Sequence, residues 1–328
     1  MTFGIIDSHI HLFAENGSYG LRWMEPGHKL QSDHTEKEYL ENDEQLSPEF
    51  RLEGYVVIEA DAETRDQAGP EGWKPSIEEC KFFFEHELNR PASRMLGAMP
   101  WAPMIDGKEA VNEYHTQLVN SMGPNSAKLI KGYRYLVQDK PDGQLLLPQF
   151  IESFQWLADN DLAFDMGIDA HLRGFKQFEE LEQLLKKTSG LTIMLNHLAK
   201  LNLDWPMNMT FFSEWCEQMN LLLLVAKLHG HTIYVKFSGA FDELDEETAK
   251  DDAKICSLIV PYLKYLLETW DHHYIIWGSN WPVCTVKGGP GALKRWVGIV
   301  WQAFDQLEVS TSVREDIMRN NNRVAYRL

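Results

Sequence analysis

Eight short apolar runs, each followed by a longer stretch with helical spacing, leave this chain of 328 residues few folds to choose from. The runs fall near 4–7, 55–60, 95–100, 127–131, 162–168, 191–196, 232–237 and 273–277. Between the last two, Ile255, Leu258, Ile259, Tyr262, Leu263 and Leu266 recur at intervals of three and four, as a helix with one buried face requires. The segments 76–90, 107–121, 147–160, 175–188, 209–229 and 291–306 read the same way. A helix between two strands returns the chain to the same end of the sheet, so the strands are expected to pair in parallel. Eight such units favour an α/β fold of the (β/α)8 TIM barrel type, which needs about 250 residues. An open doubly wound sheet would be expected to carry a glycine-rich first turn, and neither GxGxxG nor a GxxxxGKS/T motif occurs.

The chain therefore reads as one domain, 1–328, with a capping insertion at about 12–54 in the first βα loop. That insertion carries Trp23, Pro26, His28 and a short predicted helix near 36–41. Lys and Arg number 31 against 49 acids, a net charge of −18, which argues against nucleic-acid and membrane partners. Cys80, Cys216, Cys256 and Cys284 are far apart and form no CxxC pair, so reduced thiols in a cytoplasmic protein are expected rather than a thiolate zinc site. No signal-like leader follows Met1, and no uninterrupted apolar run reaches the roughly 18 residues of a membrane span. Whether the chain forms a homo-oligomer is left open.

The chemistry-bearing residues gather at strand ends. Asp7, His9 and His11 alternate where the first strand finishes, which predicts three side chains on one face at the barrel mouth. Two imidazoles two residues apart can share one divalent metal or grip a substrate carbonyl. The eighth strand runs into Gly278-Ser279-Asn280-Trp281-Pro282, which presents Asn280 beside them, because first and last strands are neighbours in a closed barrel.

These pieces resemble the amidohydrolase-2 type of metal-dependent hydrolase, and within it the sugar-lactonase branch of fuconolactonase- and rhamnonolactonase-like proteins. The matching segments are Asp7-Ser8-His9-Ile10-His11, Ala127-Lys128-Leu129-Ile130-Lys131-Gly132-Tyr133-Arg134, Asn196-His197-Leu198-Ala199-Lys200, Val235-Lys236-Phe237-Ser238-Gly239 and Gly278-Ser279-Asn280-Trp281-Pro282-Val283-Cys284. The resemblance implies hydrolysis of an aldonolactone, with L-rhamnonolactone the leading substrate. It implies a divalent ion, zinc by ligand type, drawn from His9, His11, Glu59 and Asn280, although some relatives hold the carbonyl with the histidines alone. It also implies that His197 and Arg134, with Lys131, stabilise the oxyanion. His171 is placed for ligation or proton transfer, and Trp101, Tyr133 and Trp281 for stacking on a sugar ring; structural roles for each of these stay open.

One departure matters. The family pattern has Asp where this chain has Asn280, and an amide cannot take a proton from water at neutral pH. Losing a general base costs on the order of 10²–10⁴ in rate. Three accounts stay open: an engineered, inactivated form, a different base, or a barrel that has lost catalysis and only binds a metabolite. A non-oxidative decarboxylase is the other enzymatic alternative, and the Lys-Gly-Tyr-Arg and Asn-Trp-Pro-Val-Cys segments argue against it.

Overall fold

The computed structural model describes residues 2–63, 69–89, 93–203 and 209–328. Its eight strands are β1 (Phe3–Ile10), β2 (Phe50–Ile58), β3 (Met95–Met99), β4 (Gly132–Arg134), β5 (Ala163–Met166), β6 (Thr192–Leu195), β7 (Thr232–Phe237) and β8 (Ile275–Trp277). All pairs are parallel, in the orders β1-β2-β3 and β4-β5-β6-β7-β8. Shorter bridges close the two seams. At one, the Lys131 amide donates to Ala98 (3.0 Å) and that of Arg134 to Pro100 (2.7 Å). At the other, Asn280 donates to His9 (3.0 Å) and His11 to Trp281 (2.8 Å), so the first and last strands stand side by side.

The helical expectations at 209–229 and 252–269 coincide with the helices Met209–His229 and Asp252–Thr269. The second of these starts where the Asp251 side chain accepts the Lys254 amide (3.0 Å), and it buries Ile255, Ile259, Leu263 and Leu266 completely. Truncating one such leucine to alanine costs about 2–5 kcal/mol. The helix expected at 76–90 begins earlier, at Pro70, and ends at Lys81 in a π-helical turn, Phe82–Glu87.

The fourth strand differs from the expectation of 127–131. Leu129 donates to Ser126 (2.9 Å) and Ile130 to Ala127 (3.2 Å), so this apolar segment is the turn that ends the helix Lys108–Ala127. Gly132 opens the strand instead, since a Cβ there would collide with the Ala163 carbonyl of β5. Lys131 consequently lies at the start of β4, at the opposite end from the mouth.

One apolar layer lies between strands and helices. A second fills the barrel with Val56, Ile58, Met99, Met194 and Ile276, and is closed from below by the C-terminal Tyr326. The Tyr326 hydroxyl donates to the Ser8 carbonyl (3.2 Å), while the amides of Asn321 and Asn322 donate to Ile275 (2.7 Å) and Ile6 (2.9 Å). Beside the barrel, in the connection from β1 to β2, the helix Glu36–Gln45 starts with a capping box in which Thr35 and Glu38 satisfy each other's backbone N–H groups. Its Tyr39 hydroxyl donates to Asp7 (3.0 Å), fastening the insertion to β1. Among the described residues, no helix is long and apolar enough to cross a membrane.

Candidate active site

The Nε2 atoms of His9 and His11 face each other at 3.2 Å. His11 Nδ1 lies 2.9 Å from the Glu59 carbonyl and 3.1 Å from that of Ile58. Carbonyls only accept, so Nδ1 carries the hydrogen and Nε2 offers a lone pair. His9 Nδ1 lies 3.0 Å from Lys236 Nζ, and that lysine, wholly buried on β7, is ion-paired with the equally buried Asp165 of β5. Asp165 also takes the Asn196 amide (2.5 Å) and faces Arg134 Nε at 3.5 Å. Arg134 Nη1 in turn lies 3.4 Å from Glu59 Oε1. A row of alternating charge thus runs Lys236, Asp165, Arg134, Glu59 across the barrel, each ion compensated by an opposite neighbour, as buried charges require.

Burial sets the protonation states. It lowers His9 and His197 well below the ordinary imidazole value, and the Lys236 charge deepens both shifts. Burial, helped by Arg134, brings His11 down to about 3. All three rings are therefore neutral at neutral pH. Burial also lowers Lys236 to about 8 against the pull of Asp165, which leaves it an ammonium at pH 7. Glu59 moves the other way, raised by burial to about 7 and opposed by Arg134.

Above this row lies a cavity of about 300 Å³ at the C-terminal ends of the strands. His11, Arg134, His197 and Asn280 line it, so four of the residues singled out in the sequence share one space. Trp23 and Leu30 from the first βα loop and Val283 and Val286 after β8 form an apolar wall, while Asp61, Lys200, Asp242 and Glu243 supply polar groups. Arg134 reaches this space with a donor to spare: Nη1 is bonded to the Glu59 carbonyl (3.1 Å) and the buried Nε faces Asp165, while Nη2 bonds to no described residue.

His197 owes its place to a left-handed turn. His197, Leu198, Ala199 and Lys200 have φ of 52°, 54°, 64° and 53°, a conformation that costs roughly 1–2 kcal/mol per non-glycine residue. Gly239 makes room, because a Cβ at that position would lie 2.6 Å from the His197 ring. His197 Nδ1 meets the Ser238 hydroxyl at 2.8 Å, which leaves the other side of the ring for the cavity. Asn280 is also left-handed, with φ of 62°, and its Nδ2 donates to Asp242 Oδ2 (2.7 Å). Burial raises Asp242 to about 6, and this hydrogen bond works against the rise.

Other predicted residues lie elsewhere. Lys131 donates to the Arg327 carbonyl (3.1 Å) at the closed end of the barrel, as the later start of β4 dictates. Tyr133 points outward from β4 to His115 Nδ1 (2.6 Å). Trp101 packs edge-on against Tyr114, and Trp281 against His34 and Tyr39 beneath the insertion. None of these four lines the cavity. His171 sits one layer behind, its Nδ1 2.6 Å from Glu243. Glu59 also stays below, with Oε2 accepting the Asp61 amide (2.6 Å). Asp7 does not join the histidines, because the β1–β2 register shifts between Asp7 and Ile10 and breaks the alternation. Its carboxylate instead takes the amides of His9 (3.1 Å) and Ser279 (2.8 Å), tying β1 to β8.

From the sequence no site role falls to Lys236, although it lies in a matching segment, nor to Asp165 or Asp242. A lone charge inside the apolar runs Tyr234-Val235-Lys236-Phe237 and Ala163-Phe164-Asp165-Met166 was the available signal for the first two. Asp242 stands in an ordinary loop beside Glu243 and carries none.

The histidine pair fits a divalent ion. Two imidazole nitrogens 3.2 Å apart are near the spacing of adjacent tetrahedral ligands, and the carbonyls behind His11 fix the tautomer that ligation needs. Seating His9 as well requires its Nδ1 to carry a hydrogen, hence a proton given up at Lys236. Among the described residues no third imidazole, thiolate or carboxylate completes a cluster with them; the one such triple, Asp271, His272 and His273, lies at the start of β8.

An amidohydrolase family model matches residues 6–328. An L-rhamnono-gamma-lactonase of Scheffersomyces stipitis is 33% identical over 342 residues, covering 99% of each chain. Among solved structures, an amidohydrolase from Burkholderia multivorans with bound zinc superposes with a TM-score of 0.75 at 18% identity, covering 99% of both chains. A 2,6-dihydroxybenzoate decarboxylase from Rhizobium gives 0.58 at 14%, covering 100% of this chain and 99% of that one. At such identities these structural likenesses establish a common fold.

Proposed function

The chain belongs to the amidohydrolase family, and from that premise we propose that it hydrolyses a sugar lactone of the L-rhamnono-γ-lactone kind to the open aldonic acid. The observation that carries this reading is the meeting, in one cavity, of an incompletely bonded guanidinium and two neutral imidazoles. Opening a lactone places negative charge on the carbonyl oxygen as water attacks. Arg134, with Nη2 unused, is the group to receive that charge, and the ion-paired row beneath holds it in place before the substrate arrives. His197 offers a ring nitrogen to the same region. The wall of Trp23, Leu30, Val283 and Val286 suits the methyl group of a deoxy sugar, while Asp61, Glu243 and Lys200 suit its hydroxyls. The identity to a named lactonase over nearly the full chain supports the substrate class. A zinc ion held by His9 and His11 would add Lewis-acid polarisation of the carbonyl or activation of a bound water.

The test is a panel of aldonolactones with a pH indicator, run beside aromatic acids monitored for carbon dioxide. Acid release from a 6-deoxyaldonolactone is the expected result. Carbon dioxide from an aromatic acid would replace this reading with the decarboxylase one. Ligand-induced thermal stabilisation without any turnover would leave a metabolite-binding barrel.

A further inference from the structure

Resting on that reading, we propose that Asp242 is the general base of the hydrolysis, with Asn280 as the residue that orients it. Hydrolysis needs a group that removes a proton from water, and the Asn280 amide cannot do so. Among the described residues, three carboxylates line the cavity: Asp61, Asp242 and Glu243. Glu243 is occupied on both oxygens, by Lys200 Nζ (3.5 Å) and His171 Nδ1 (2.6 Å). Asp61 faces Arg22 at 3.8 Å, on the side of the insertion. Asp242 alone of the three touches residue 280, through Oδ2, and its Oδ1 bonds to no described residue. One oxygen is anchored and the other is open to the cavity, as a base acting on bound water requires.

The backbone holds the carboxylate there. The Asp242 amide donates to Gly239 (3.2 Å), and its carbonyl accepts Lys287 Nζ (2.9 Å). Because a carboxylate only accepts, the amide of Asn280 must present its NH2 to Asp242, which directs its own oxygen elsewhere. The carboxylate and its neighbour at position 280 thus form a carboxylate–amide pair with the carboxylate on the loop after β7. In the step itself, the water oxygen forms a bond to the lactone carbonyl carbon while one water proton passes to Asp242 Oδ1. The tetrahedral species then breaks its bond to the ring oxygen, and the same proton moves from Asp242 to that departing alkoxide. Lactone and water give the hydroxy acid, with Asp242 returned to its starting state.

The experiment moves the carboxylate across the pair. Asp242→Asn is isosteric and is expected to lower kcat by about 10²–10⁴ with little change in KM. Adding Asn280→Asp to that variant exchanges the two groups, and it is expected to recover at least about tenfold of the loss. Both residues tolerate the left-handed backbone at position 280. Asp242→Ala supplies a separate readout: formate in the buffer is expected to restore turnover in a concentration-dependent way, which a structural role would not produce. Turnover by Asp242→Asn within about threefold of the unaltered protein would overturn the assignment while leaving the lactonase reading intact. A loss that neither the exchange nor formate repairs would overturn it too. Absence of turnover in the unaltered protein across the panel would remove the lactonase reading, and the base with it.

Discussion

Replacing Lys236 by methionine tests whether the buried charge row holds the site together. Lys236 and Asp165 are both 0% exposed, so no water screens the pair, and the methionine fills nearly the same volume. Removing one partner of such a pair costs about 3–5 kcal/mol, because the other charge is left buried. Asp165 would still face Arg134 at 3.5 Å and keep the Asn196 amide, which places the cost near the lower bound, about 3 kcal/mol. A chain of this length gains about 0.7 kcal/mol per kelvin of unfolding entropy, so Tm should fall by about 4 °C. In the double variant Lys236→Met with Asp165→Asn no charge is stranded between the two positions. Its loss should be smaller than the summed single losses by about 2–3 kcal/mol. Thermal and urea unfolding of the four proteins, followed by tryptophan fluorescence, provides the comparison. A Tm shift below about 1 °C in Lys236→Met, or strict additivity in the double variant, would refute the argument.

Asp7 is raised by burial from its ordinary 3.8 to about 6, so the folded protein keeps a proton that the unfolded chain has already released. Through this group stability declines as pH rises from about 4 to about 6; Asp7→Asn, whose Oδ1 can still accept the His9 and Ser279 amides, should gain on the parent over that window by calorimetry, and a widening deficit would contradict the assignment. Arg134→Gln should reduce kcat/KM on order of 10²–10³ by removing the oxyanion donor, and equal loss in ground-state ligand binding would point to a purely structural residue. In equilibrium dialysis with zinc, the parent should retain an ion that His11→Gln does not; indistinguishable retention would remove the histidine pair as the metal site.

The periodic parts of the fold were legible because burial writes them into the sequence. Ile255 to Leu266 could face the strands in one way only, and the helix Asp252–Thr269 follows that spacing. The strand at 127–131 failed for the converse reason: Leu129 and Ile130 are as apolar as a strand requires, but backbone hydrogen bonds made them a turn, and composition does not record such bonds. At the site, His9, His11 and Asn280 could be placed because strand ends of a closed barrel converge. Tyr133 and Arg134 are adjacent in sequence yet face opposite ways, and the displaced strand start hid which one looks inward. Asp242 was beyond reach, since its partnership with Asn280 joins two loops 38 residues apart and neither loop has a period.

The segment beneath the barrel makes the first strand depend on residues far along the chain. Tyr326 lies under Lys236 with the ammonium 5.7 Å from its ring, and Lys236 in turn steadies His9 on the first strand. The first strand therefore gains the support its imidazoles rely on only once this late segment has docked, and a barrel lacking it would leave its buried charge row open from underneath.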